Sequence, residues 1–277
     1  MLTALLSLAA SFAWGSSNFL AGIESRRRSV WHVTALSQFA AAVTAGVAVL
    51  VTAQSPPRTW DTVVLLLAGV ATAIGLLAFY KALAIGTMSI VSPIIAAAAI
   101  VPLAAGLFMG ERPGLQAYAG MALTAGGVVL ISWAKRGHRD HAARSAILLA
   151  VLTALCWGLL LMAFGVSGRE SPYWAVFDAR IASVGVILLY LVATRRRLPL
   201  RGQNLPALFL VGLLLTTANI LFTVAAGLGY LSVVSILGSL SPVVVTGYAQ
   251  VLLGERLTVR QWAGFGTVFA GVVLLSA

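Results

Sequence analysis

Residues 241–275 read SPVVVTGYAQVLLGERLTVRQWAGFGTVFAGVVLL, two apolar runs of membrane-spanning length joined by a charged turn, Gly254-Glu255-Arg256. Residues 97–131 read AAAIVPLAAGLFMGERPGLQAYAGMALTAGGVVLI. A shift of 144 residues superposes Gly110-Glu111-Arg112 on that turn, Ala119-Gly120 on Ala263-Gly264, and Gly127-Val128-Val129-Leu130 on Gly271-Val272-Val273-Leu274. A shift of 143 extends the match upstream, bringing Trp14-Gly15 onto Trp157-Gly158, Phe79 onto Phe222 and Val91-Ser92 onto Val234-Ser235. The chain is therefore a duplication, with one residue gained or lost between Ser235 and Gly254. Units this long exceed solenoid repeats and suit the doubled halves of a membrane protein.

Ten stretches approach the 20 or so mainly apolar residues that a bilayer-crossing helix needs. They lie at roughly 2–22, 30–52, 60–82, 88–109, 113–134, 145–165, 172–193, 204–226, 231–253 and 258–276. Only 9% of the 277 residues are charged, against about 25% in a soluble domain, so the chain cannot clothe itself in polar surface. The runs are continuous, which excludes a membrane barrel of alternating strands. The expected fold is an all-α membrane protein with ten transmembrane helices in two five-helix repeats, residues 1–134 and 145–277, joined by a basic loop at 135–144.

A formal charge of +11 raises nucleic-acid binding, but the arginines sit in short clusters between apolar runs, the distribution that membrane insertion selects. No nucleic-acid partner is expected. Fourteen Lys and Arg fall in the loops after runs 1, 3, 5, 7 and 9, among them Arg26, Arg27, Arg28, Arg139 and Arg195, whereas the opposite loops hold Arg58, Arg112 and Arg169. The positive-inside rule then places both termini outside the cytoplasm, in a multi-pass protein of the plasma (inner) membrane. Five helices per half force the halves to insert with opposite orientation. The lone Cys156 reads as a packing residue.

No catalytic constellation emerges: His32, His138 and His141 are scattered, and no phosphate-binding glycine loop follows a strand. Neither a metal nor a cofactor is expected. The informative residues are polar ones at membrane depth. Asp178 and Arg180 lie roughly 9 and 12 Å along run 7 at about 1.5 Å per residue, and an arginine at the bilayer centre costs about 2.5 to 3.5 kcal/mol. Two residues apart, they point to different faces, so Arg180 either holds an anionic group or fixes packing through a buried pair. Trp14 and Trp157 lie far from the helix ends where indoles usually anchor, and either line a cavity or pack against the glycine that follows each. The remaining candidates for a cavity are Ser17, Asn18, Tyr80, Ser92, Thr217, Asn219, Ser235 and Ser239; hydroxyls can close on their own helix, whereas a primary amide is hard to leave unpaired. Glu111 and Glu255 sit in interfacial Glu-Arg turns and read as structural, which leaves Asp178 the better candidate for proton coupling. Gly106 and Gly110 have the spacing of a close helix contact. Pro93, Pro102 and Pro242 predict kinks or breaks in runs 4 and 9.

Trp-Gly in the first helix of each half, Gly-Glu-Arg between its last two, and the spacing Pro242 to Gly254-Glu255-Arg256 to Gly271 resemble the EamA-type carriers of the drug/metabolite transporter superfamily, over essentially the whole chain. Arg180 looks like the arginine often found in the second helix of an EamA half. The first half departs from the pattern, with Ser37 or Gln38 opposite Arg180 and Ala98 opposite Pro242. The resemblance implies two inverted repeats in alternating access around a central cavity, and export of amino acids or related metabolites, driven by protons or by exchange. The expected partners are a small-molecule substrate and the lipid bilayer. A non-transporting scaffold or sensor is the alternative from another class, and a lipid-processing enzyme lacks a catalytic set.

Overall fold

The computed structural model describes residues 1–27, 29–85, 94–95, 97–132, 141–195, 204–253 and 258–276. All regular structure among them is helical, as it must be where no water can satisfy backbone N–H and C=O groups. The helices are α1 (Leu2–Arg27), α2 (Val30–Thr52), α3 (Thr59–Ile85), α4 (Ile100–Phe108, entered through a 3-10 turn at Ala97–Ala99), α5 (Leu115–Ser132), α6 (His141–Ser167), α7 (Pro172–Ala193), α8 (Leu205–Leu228), α9 (Leu231–Gly238), α10 (Ser241–Leu253) and α11 (Val259–Ser276). Helix α6 begins at His141, inside the stretch read as loop. Seven helical segments among the described residues are long and apolar enough to cross a bilayer; Ala97–Phe108, Leu115–Leu130 and Trp262–Leu275 are shorter apolar helices. Ser92, Pro93, most of the basic loop and the Gly254-Glu255-Arg256 turn lie outside the described residues.

Run 9 breaks as its proline predicts. A turn at Ser239 and Leu240 separates α9 from α10, and Pro242 sits in the first turn of α10, where its missing N–H costs nothing. In run 4 the corresponding irregularity is the 3-10 turn, after which Pro102 occupies the first turn of α4.

Each helix packs chiefly on helices of the other half. Helix α1 lies on α8 and α10, while its repeat mate α6 lies on α3 and α4; α2 lies on α8, and its mate α7 on α3. The mates α2 and α7 pack on each other, as do α5 and α11. Glycines mark these crossings in matched pairs. A Cβ at Gly15 would lie 2.9 Å from the Ser241 carbonyl oxygen, and one at Gly158 would lie 2.7 Å from that of Ala98. The rings of Trp14 and Phe222 are centred 5.5 Å apart, and so are those of Trp157 and Phe79. These contacts carry the 143-residue shift through Val101 and Val244, so the additional residue lies between Val244 and Gly254, and the mate of Pro242 is Ala99 rather than Ala98. The core joins α3, α6, α7, α8 and α9 around the fully buried Leu65, Phe164, Val176, Phe222 and Leu231. Large apolar side chains such as Leu50, Phe108 and Leu189 remain exposed, the surface a bilayer would cover.

Candidate functional site

The Trp-Gly signature serves two purposes at one position. Gly15 lets α1 approach α10, and the preceding Trp14 turns its indole into the half-buried space beside α8, donating Nε1–H to Asn219 Oδ1 at 2.9 Å. Asn219 is buried, and its Nδ2 has no hydrogen-bond partner. The same indole lies against Gly238, the last residue before the break in run 9, while Ser11 donates to the Leu237 carbonyl. A half-buried aromatic and a buried amide, with one amide group still unsatisfied, thus stand where the helix backbone is interrupted. The mate of Asn219 is Leu76, so Trp157 finds no amide; it packs with Phe79, Ala35, Leu76, Ile187 and Leu191.

The duplication carries a second pairing. Arg180 is 4% exposed on α7, and its Nη1 donates to Gln38 Oε1 on α2 at 2.7 Å. Among the described residues this neutral amide is its hydrogen-bond partner, and Nε has none. One turn on, Ser183 Oγ is also buried without a partner. Gln38 lines a crevice of about 80 Å³ between α2 and α7. Asp178 faces a different neighbour, Thr62 of α3, and its Oδ2 has no hydrogen-bond partner.

The EamA-like transporter family matches residues 1–133 and again residues 144–277. The chain belongs to that family. It is therefore a multi-pass membrane protein of the drug/metabolite transporter type. A solved structure titled only "Crystal structure of protein" is similar in fold, with a TM-score of 0.83 at 16% identity over 98% of this chain and 95% of its own. No curated protein matches the chain.

Within this EamA chain the other expected site residues divide. Ser17 is buried but donates to the Val211 carbonyl at 3.0 Å. Ser235 and Ser239 close on the Leu231 and Ile236 carbonyls of their own helix, the packing role that hydroxyls take by default. Thr217 is exposed on the stripe that includes Leu210 and Leu213; Thr216, beside it, is the buried one and donates to the Ala41 carbonyl at 2.9 Å. Asn18 is exposed on α1. The side chain of Tyr80 and all of Ser92 lie outside the described residues. Nothing in the sequence pattern singles out Thr62 or Ser183 as site residues, whereas Gln38 adjoins Ser37, the repeat mate of Arg180.

The pairing of Trp14 with Asn219 is open to a double-mutant cycle. Asn219→Leu strands the indole N–H and Trp14→Phe strands the amide, each costing about 1 to 3 kcal/mol. The double substitution should recover at least half of the summed loss in thermal stability in detergent. Strictly additive losses would show that the bond contributes nothing.

Proposed function

We propose that this chain is a secondary transporter that carries a small polar or amphipathic metabolite, an amino acid or related compound, out across the plasma membrane. Arg180 carries the proposal. Burying a guanidinium against a neutral amide leaves most of its desolvation cost uncompensated, and a carboxylate-bearing substrate that reached it would supply the missing charge. Asp178, two residues away and turned towards α3, is the candidate for proton coupling or for an ammonium group. Trp14 and Asn219 beside the break between α9 and α10 are proposed to line the same route, since irregular backbone at membrane depth is tolerated where it borders a cavity.

The proposed topology has ten membrane crossings, inverted halves at 1–134 and 145–277, and both termini outside. Because α1 packs on α8 and α10 while α6 packs on α3 and α4, the bodies that rock are not the sequence halves. One body holds α1, α2, α8 and α10; the other holds α6, α7, α3 and α4. Each mixes helices from both repeats, and the paired mates α2 with α7 lie between them.

Counterflow in proteoliposomes tests the proposal, with unlabelled compound trapped inside and labelled amino acids, nucleosides or sugar phosphates outside. Accumulation of a carboxylate-bearing class is expected. Silence across the panel from folded, inserted protein would favour the non-transporting alternative.

A further inference from the structure

The turn between α4 and α5 carries a carboxylate that the transport site does not use. Glu111 reaches across to the other repeat and accepts two backbone hydrogen bonds at the start of α9, from Leu231 N–H to Oε1 at 2.6 Å and from Ser232 N–H to Oε2 at 2.9 Å. A carboxylate at a helix N-terminus satisfies donors that the helix itself cannot, and its charge complements the positive end of the helix dipole. The local chain is shaped to deliver it. Gly110 adopts φ +91°, a conformation that strains residues bearing a Cβ, and Glu111 N–H returns to the Gly106 carbonyl at 3.1 Å. A Cβ at Gly106 would collide with Glu111 Oε2, so a side chain there would have to displace the carboxylate. The spacing of Gly106 and Gly110 therefore serves this fold-back and not a helix crossing.

The bond pair joins the two repeats. Glu111 follows α4, whereas α9 follows α8 after a two-residue turn, Gly229-Tyr230, and packs on α4 and α1 alike. A cavity of about 620 Å³ lies over the junction, lined by Met109, Glu111, Arg169, Leu228 and Tyr230. Beneath it, Ser232 and Ser235 are buried along α9, which leads to Gly238 against Trp14. The cap thus sits between an open cavity and the aromatic-amide pair.

We propose that Glu111 is a latch: its carboxylate, by capping α9 across the repeats, holds this face of the carrier closed, and its release opens the way from the cavity towards Trp14 and Asn219. Five residues before Glu255 stands Gln250, where Gly106 stands five before Glu111, which makes Glu255 the control for the latch. The gating role rests on the carrier proposal, but opening of this face is measurable without any flux.

Ser232→Cys in a Cys156→Ser background places a single thiol directly under the latch. Right-side-out and inverted membrane vesicles are exposed to a membrane-impermeant maleimide, so the result does not depend on the assigned orientation. Labelling of the parent should be slow from both sides. Glu111→Gln keeps the side-chain length but weakens the cap, and labelling from the cavity face should quicken on the order of tenfold, the scale of losing a good helix cap. Gly106→Ala, which leaves the charge intact and displaces the carboxylate, should produce the same increase, and Glu255→Gln none. Unchanged labelling in Glu111→Gln, in protein that elutes as folded, overturns the latch, as does an equal increase in Glu255→Gln. A parent silent in counterflow that nonetheless shows the Glu111 response would count against the carrier proposal while upholding the Glu111-controlled opening of this face.

Discussion

Arg180→Ala should cut transport of a carboxylate-bearing substrate by about 10- to 100-fold while the protein still inserts. The size follows from losing a hydrogen bond to a charged group, about 1.5 to 3 kcal/mol, at roughly 1.4 kcal/mol per decade. Removing the guanidinium also relieves the chain of a costly buried charge, and leaves Gln38 Oε1 without its donor at 2.7 Å. These effects on stability oppose one another, so the melting temperature should move little. Arg180→Lys separates charge from shape: the ammonium still reaches an acceptor but cannot offer the planar fork, and flux should recover only partly. A neutral substrate analogue, in which an amide replaces the carboxylate, should lose much less on either substitution. If flux of charged and neutral compounds falls equally, together with thermal stability, Arg180 serves packing between α2 and α7 and binds no substrate.

The partner of Arg180 shows what the sequence carried and what it hid. Duplication arithmetic sets Ser37 or Gln38 opposite Arg180, a departure from symmetry. In the structure α2 and α7 pack on each other, so a residue beside the mate becomes the contact. Periodicity alone could not reveal this, because it fixes which positions are equivalent and not which equivalent elements touch. Thr217 shows a second limit: at 100° per residue, neighbouring hydroxyls face different surroundings, and Thr216 rather than Thr217 turns inward. Gly106 and Gly110 show a third. Their spacing is that of a helix crossing, but its use depends on the positive φ of Gly110 and on where Glu111 lands. By contrast, the proline break in run 9 is legible, since it follows from what a proline permits, whereas the Trp-Gly repeat marks equivalent positions without showing that each glycine meets the other half.

Gly15→Leu and Gly158→Leu should each destabilise the protein by about 3 kcal/mol or more, and by nearly equal amounts. Overpacking a tight interface typically costs about 1 to 3 kcal/mol, and here the added Cβ meets backbone, which cannot rotate away. At Gly15 it would approach the Ser241 carbonyl and Val244, at Gly158 the Ala98 carbonyl and Val101. Gly126 and Gly185 provide controls within the same membrane-spanning context, because nothing lies within 4 Å of a Cβ at either position; leucine there should change stability by about 0.5 kcal/mol or less. Thermal unfolding in detergent, read by fluorescence size exclusion, gives the comparison. The equality matters more than the size. Gly15 locks α1 to the helix after the break in run 9, and Gly158 locks α6 to the turn that opens α4, so matched losses mean that both bodies are held by the same exchanged crossing. A costly Gly15→Leu beside a harmless Gly158→Leu would mean that α6 does not lie on run 4 as described, and the two-bodied rocking built from interleaved repeats would lose its second body.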